Sequence, residues 1–385
     1  MVRSLGKAGY LPVVTSHAAR PLAGASRYAA AVEVVPNPLT DPAAFVDAAA
    51  GIVQRRAIRV VMPVAEQSHL AMLPARDRFA PAIVTAGSAE SFRKLSSKDA
   101  VLRAAQRLSI PVPLQLEIPA RDAIPNEIDP ALFPGVLKPA HSVQAGALFR
   151  VMYANDVSAA RRTLDELPPS AFPLLVQQRI VGQGTGIFVL VWNGRLVAAF
   201  AHRRLREQPP SGGASVYCES IPMDDDLLAK SLALLNAFQW QGVAMVEYKR
   251  ERATGVPYIM EVNARFWGSL QLAIDAGVDF PVLLARAALG EPDRAQPTYR
   301  AGARLRSWWA DVDHLLVRIR HSAARLALPV DAPSRWRVVA DFLRWRRHDR
   351  METFRVGDAG PFLVDTRQWI ASRLPQRLRR ADRQR

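Results

Sequence analysis

The stretch YIMEVNARFWGS, Tyr258 to Ser269, sets one carboxylate, one amide and one guanidinium at alternating positions in an apolar run: Glu261, Asn263 and Arg265. In a strand, residues two apart share a face, so these three point the same way while the strand lasts. The preceding apolar run, VAMVEYK, carries Glu247. A turn centred on ERATG sets position 247 opposite 260 or 261 in an antiparallel pair, with Cβ atoms roughly 4.5–5.5 Å apart. Two carboxylates that close repel unless a cation sits between them. Oxygen donors without soft ligands suit Mg²⁺ or Mn²⁺. A surface hairpin with scattered charges is the competing reading, and the apolar flanks YIM and FWG weigh against it.

Two lysines add to this pattern. The chain holds 45 Arg and only six Lys, so each Lys is an uncommon choice. Lys98 opens a helical segment, and Lys138 ends the short apolar run FPGVLKPA. A compact ammonium suits phosphate oxygens as a point charge. The small-residue loop HSVQAG follows Lys138 directly and can offer backbone N–H groups to phosphates. It has only Gly146, and no G-x-x-x-x-G-K-[ST] occurs. Taken singly, each Lys reads better as a surface residue; their order before the carboxylate hairpin favours the phosphate reading.

The elements that must position these groups fall into three regions. Residues 1–90 alternate apolar runs (LPVVTS, VEVVP, IRVVMPV, AIVTA) with helical segments, a β-α-β pattern that predicts a mainly parallel sheet. The usual first strand is not seen before the opening helix MVRSLGKAGY. Either it lies upstream of Met1 or it is missing, leaving an unpaired sheet edge. Residues 91–290 hold the candidate chemistry, with SSKDAVLRAAQRLSIPVPLQ as a capped helix and two hairpins. One hairpin turns at Asn193-Gly194. Residues 300–385 are helical in pattern, with Trp308, Trp309, Trp336, Trp345 and Trp369.

Composition narrows the classes. A chain of 385 residues, 49% hydrophobic, predicts two or three globular domains. No apolar run reaches the roughly 18 residues that span a bilayer, and no signal peptide is read. The single cysteine, Cys218, excludes a disulfide framework and a Cys-rich zinc site, and fits a reducing cytoplasm. The net charge of +16 is concentrated at the end: residues 300–385 hold 20 Arg, no Lys and nine Asp and Glu. Clustered Arg suits nucleic acid or an anionic membrane, or is a solvated helical face. No nucleic-acid motif supports the first, so no nucleic-acid partner is expected. A weak anionic-membrane contact by this end and a homodimer stay open.

The order of these elements resembles the ATP-grasp superfamily of carboxylate–amine ligases, which includes biotin carboxylase and carbamoyl-phosphate synthetase. That family ends its core with a carboxylate on one strand and, about 14 residues later, E-x-N-x-R on the next. Glu247 followed by Glu261, Asn263 and Arg265 matches. Lys98 and Lys138 match its two phosphate-binding basic residues. LLVQQRIVG matches the hinge that reads adenine, so Gln177, Arg179 and Ile180 are expected to flank the base. The family usually has Glu where Gln177 stands. The resemblance covers about 1–290 and implies α/β and α+β architecture: a Rossmann-like N-terminal domain (1–90), an ATP-grasp fold of two α+β subdomains (91–290) and a helical C-terminal extension (300–385). FAHRRLREQPPSGGAS, FWGSLQLAIDAGVDFP and RMETFRVGDAGPFL are similar to a bacterial subgroup found with polysaccharide or envelope biosynthesis genes.

The resemblance implies an ADP-forming, cytoplasmic carboxylate–amine (or carboxylate–thiol) ligase using ATP and Mg²⁺ (or Mn²⁺). A small-molecule carboxylate becomes an acyl phosphate, and an amine or other nucleophile displaces phosphate. Glu247, Glu261 and Asn263 are the expected metal ligands, and Arg265 the catalytic residue that stabilises phosphoryl charge. Arg203, Arg204, Arg206, Ser211, Gly212, Gly213 and Ser215 are candidates for acceptor contact, with a plain polar hairpin connection equally open. His202 reads as a structural strand-end residue. The alternative is a non-catalytic ATP-binding scaffold or regulatory protein in an envelope or polysaccharide pathway.

Overall fold

The computed structural model describes residues 1–140, 143–144, 147–148, 151–291, 297–329 and 331–373. Its largest sheet has seven strands in the order Pro257–Asn263, Gly242–Glu251, Gly182–Trp192, Arg195–Gln208, Ala214–Ser220, Arg304–Arg306 and Asp349–Met351. All neighbours are antiparallel except the last pair. A second antiparallel sheet orders Gln115–Ile118, Leu174–Gln178, Gly135–Pro139 and Met152–Ala154. Turn chemistry closes the long hairpin: Asn193 and Gly194 both adopt positive φ, 49° and 73°, the two-residue turn whose twist matches its strands.

Alternation divides the large sheet between two cores. Ile187, Val189, Ala244, Val246 and Tyr248 face one way and pack against Val101, Leu102 and Ala105 of the helix Lys98–Arg107. Phe188, Leu190, Val243 and Met245 face the other way, onto Phe266, Trp267 and the helices Leu270–Ala276 and Phe280–Ala288. Helix starts follow local capping. Asp41 accepts from Ala44 N at 3.0 Å before Pro42–Arg55, and Ser97 from Ala100 N at 3.4 Å before Lys98–Arg107.

The first 90 residues form two parallel two-stranded sheets, Val13–Ser16 with Ala31–Val34 and Val60–Val61 with Ile83–Val84, not one continuous sheet. The helix Val2–Lys7 precedes the first strand. Residues 300–373 carry the expected helices Trp308–Arg320, Arg335–Leu343 and Gly360–Arg373. They also supply two three-residue strands that extend the large sheet, an addition too short to show alternation in sequence. Among the described residues no helix is long and apolar enough to cross a membrane.

A buried ionic network welds this extension to the sheet. Arg206 grips Asp311 with two bonds of 2.6 Å. Arg306, 1% exposed, lies 4.0 Å from Asp311 and 3.4 Å from Asp349 and donates to the carbonyls of Phe342 and Arg344 at 2.8 Å. Both guanidiniums lie over the Tyr217 ring, at 4.3 and 4.7 Å, and Tyr217 Oη donates to Asp349 at 2.7 Å. Two cations and two carboxylates balance, so the charges tolerate burial only together. Asp311→Ala should therefore lower unfolding free energy by about 3–5 kcal/mol, read from urea denaturation, because it strands the Arg206 guanidinium and leaves Arg306 with Asp349 as its one carboxylate.

Candidate functional site

Glu247 and Glu261 are direct cross-strand partners, and Met245 opposes Asn263. The register shifts between Glu247 and Tyr248, where Tyr248 pairs with Ile259, so Met260 is an extra residue. This bulge resets the side-chain alternation. Ile259, Val262 and Ala264 all enter the core on the helix side. Glu261 and Asn263 take the other face, with Glu247. Strict alternation would have put Ile259 and Glu261 on one side.

A hydrogen-bond chain fixes the three polar groups of the opening motif. Asn263 Nδ2 donates to Glu261 Oε1 at 3.0 Å, and Arg265 Nη2 donates to Asn263 Oδ1 at 3.0 Å. Arg265 Nη1 also holds the Phe266 carbonyl at 2.9 Å. The Lys98 ammonium lies 3.7 Å from Glu261 Oε2, and its backbone N–H is bonded to the Ala140 carbonyl at 2.9 Å, beside the strand that ends with Lys138. A cleft lined by Glu66, Lys98, Glu261, Asn263 and Arg265 opens there.

The electrostatics follow from this packing. Burial drives the Glu247 carboxyl upward, Arg204 pulls it back, and repulsion from Glu261 raises it further. Burial also acts to raise Glu261, but the Lys98 charge, the Asn263 amide and Lys138 together hold it well below the usual carboxylate range. Lys138 is 6% exposed; burial and the neighbouring Lys98 charge push it down to about 8, against the pull of Glu261 and Glu247.

Arg204 was expected at an acceptor. It instead forms an ion pair with Glu247, bonds Glu207 at 3.2 Å and donates to the Gly213 carbonyl at 3.0 Å. It reaches Glu247 across Gly184 and Gly186 of the neighbouring strand. A Cβ at Gly184 would come within 2.9 Å of the Arg204 Cδ, and one at Gly186 within 2.5 Å of the Phe188 ring. Arg203 pairs with Glu219 at 2.6 Å, and Arg206 is committed to Asp311. Ser211, Gly212 and Gly213 turn beside Tyr153, whose hydroxyl donates to the Ser211 carbonyl at 3.0 Å; Ser215 lies opposite Glu207.

At the end of the second sheet, Gln177 is fully buried. Its Nε2 donates to Gln115 Oε1 at 3.0 Å, while its own amide oxygen has no partner among the described residues. Buried oxygens without partners are costly and uncommon. Ile180 is buried, and the Arg179 guanidinium lies 4.9 Å over Tyr153 and donates to the Ala327 carbonyl of the extension. The loop HSVQAG, residues 141–146, lies outside the described residues except for the two-residue strand Val143–Gln144.

Sequence reading missed Lys249 and Tyr153. Lys249, two residues after Glu247 on the same face, is pushed down mainly by burial. Its signal was available, since it is another of the six lysines. Tyr153 carried none.

An ATP-grasp family model, described as ATP-grasp in the biosynthetic pathway with Ter operon, matches residues 170–309. Among solved structures, the Staphylococcus aureus N5-carboxyaminoimidazole synthetase superposes with a TM-score of 0.62 at 12% identity, covering 82% of this chain and 80% of its own. The Bacillus licheniformis L-amino acid ligase gives 0.58 at 15%, covering 77% and 71%. The biotin carboxylase domain of Hydrogenobacter thermophilus 2-oxoglutarate carboxylase, solved with MgADP, ADP and bicarbonate, gives 0.60 at 15%, covering 79% and 70%. This chain has the ATP-grasp fold. A search of the curated proteins finds no match. That family's description names a biosynthetic pathway with a Ter operon and does not mention envelope or polysaccharide biosynthesis.

His202 sits within this ATP-grasp sheet as a buried neutral residue. Its ring meets Phe188 edge-on at 4.6 Å; burial, then the Arg204 charge, pushes it down to about 3. Its folded pKa lies below the unfolded value, so the unfolded chain binds more protons in acid. Stability is then full above pH 6.5 and falls as pH drops from there toward 3. Urea denaturation should show a loss of about 2 kcal/mol from this residue between pH 7 and pH 5. His202→Leu should remove that part of the pH dependence.

Proposed function

We propose that this protein is an ATP- and Mg²⁺-dependent, ADP-forming ligase that activates a small-molecule carboxylate as an acyl phosphate for attack by an amine or other nucleophile. The observation that carries this reading is the opposed Glu247–Glu261 pair, with Asn263 beside it and Lys98 and Lys138 around it, on one face of the sheet. Two carboxylates and an amide oxygen form an all-oxygen donor set that fits Mg²⁺ or Mn²⁺. Among the described residues no three His, Cys, Asp or Glu side chains cluster as a metal site. Such a short protein donor set suits a metal whose remaining ligands are phosphate and water. A bound Mg²⁺ would supply charge neutralisation for the phosphate oxygens.

The chain's own groups then have assignable tasks. Glu247, Glu261 and Asn263 would hold the metal. Lys98 and Lys138 bind the α- and β-phosphates as point charges. A phosphate beside Lys138 would offset the burial that lowers its pKa. Gln177 offers its unpartnered amide oxygen to the exocyclic amine of adenine, in place of the more common glutamate, with Arg179 and Ile180 beside the base. Arg265, oriented by Asn263, stabilises negative charge on the transferring phosphoryl group. Arg204 neutralises Glu247, and its guanidinium would also suit a substrate carboxylate near Ser211, Gly212, Gly213 and Ser215. Arg203 stands at the edge of that loop. The proposed units are 1–90, 91–290 and 300–385, acting in the cytoplasm.

A screen of amino acids, short peptides and sugar acids tests this. ADP release should require Mg²⁺ and one acceptor class. Glu261→Gln or Asn263→Ala should lower kcat at least roughly a hundredfold. Protein that binds ATP yet releases no ADP with any acceptor would support the scaffold reading. Gln177→Leu should weaken ATP binding about tenfold while leaving GTP binding nearly unchanged, by calorimetry.

A further inference from the structure

The helix Arg335–Leu343 turns an apolar stripe outward. Trp336, Ala340 and Leu343 follow the i, i+4, i+7 spacing that shares one helix face, and all three are exposed. Trp336 is 84% exposed and Leu343 73%, and Trp345 just beyond the helix is half exposed. The inward side is already engaged: Val338 is buried, and Phe342 packs 5.7 Å from Trp308 and against the Arg306 guanidinium. Exposed Arg335, Arg337, Arg344 and Arg347 flank the stripe. Between positions 335 and 348 the sequence has five Arg and one acidic residue, Asp341, which is half buried.

We propose that this face docks on an anionic lipid surface. An amphipathic helix with Trp and Leu on one side and arginines along its flanks is the pattern that lies in the headgroup region, with the indole at the interface. Charge selects the partner. Self-docking about a two-fold axis would set these arginines against their own copies, with no exposed carboxylate between positions 335 and 348 to meet them. A nucleic acid would use the arginines and stack on the indole, but would leave the aliphatic Leu343 without a role. An anionic bilayer uses all three features. The extension is also fixed in place, because Arg306 holds the Phe342 and Arg344 carbonyls and ties them to the large sheet. Docking would therefore hold the whole molecule at the surface in one orientation. This inference stands independently of the ligase reading.

Co-sedimentation of the full chain with vesicles tests it, using phosphatidylcholine alone and phosphatidylcholine with phosphatidylglycerol. Binding is expected only to the anionic vesicles and should weaken with salt. The double change Arg337→Gln, Arg344→Gln should weaken binding roughly thirtyfold. Trp336→Ser with Leu343→Ser should weaken it at least tenfold, and Trp336→Phe should restore most of the loss when paired with Leu343. Far-ultraviolet circular dichroism should be unchanged in each variant, since the altered side chains are exposed. Anionic binding unaffected by these substitutions would overturn the proposal. So would tighter binding to single-stranded RNA than to vesicles, or a dimer in sedimentation velocity that Trp336→Ser abolishes.

Discussion

Two carboxylates opposite each other on neighbouring strands are the constraint around which this fold is arranged. Glu247 and Glu261 repel on a half-buried face, and the surrounding structure answers that repulsion with positive charge from three directions. Lys98 arrives on a helix N-terminus fixed by the Ser97 cap. Lys138 arrives at the end of a strand in the other sheet. Arg204 arrives across a row of glycines that leaves room for its stem. The bulge at Met260 lets one strand serve both an apolar core and this charged face. Each device is local, and together they converge on the face proposed to take a metal and phosphates.

The extension affects this face through the strand that carries Arg204. Two residues further along, Arg206 is locked to Asp311, and His314 of the same helix hydrogen-bonds the Glu207 carbonyl at 2.6 Å. Arg204 and Glu207 therefore sit on backbone held from outside the core. Ala327 of the extension also meets Arg179 at the hinge. The Arg-rich end is thus divided between arginines that brace the functional face and arginines, with Trp336, that face outward.

Much of the site was legible because strand alternation is rigid. Glu247, Glu261, Asn263 and Arg265 could be placed from period and spacing alone, and the scarcity of lysine pointed to Lys98 and Lys138. The bulge was not legible: a single inserted residue leaves no trace in an apolar run. The partners of Arg203, Arg204 and Arg206 were not legible either, since three neighbouring arginines in a strand look alike until Glu219, Glu247 and Asp311 are brought to them by distant elements. The same holds for the tryptophans, where Trp309 stacks on Trp369 at 4.2 Å and Trp336 stays exposed. In the first 90 residues the parallel pairing was readable, but its division into two small sheets depends on packing that short strands do not encode.

Glu247, Glu261 and Asn263 are proposed to bind a divalent cation together, in company with nucleotide phosphates. Electron paramagnetic resonance of Mn²⁺ titrated into the protein, with and without ATP, measures this directly. Weak Mn²⁺ binding alone is expected, with a single tight site when ATP is present and loss of that site in both Glu247→Gln and Glu261→Gln. Tight Mn²⁺ binding that needs no nucleotide, or that survives both substitutions, would contradict it.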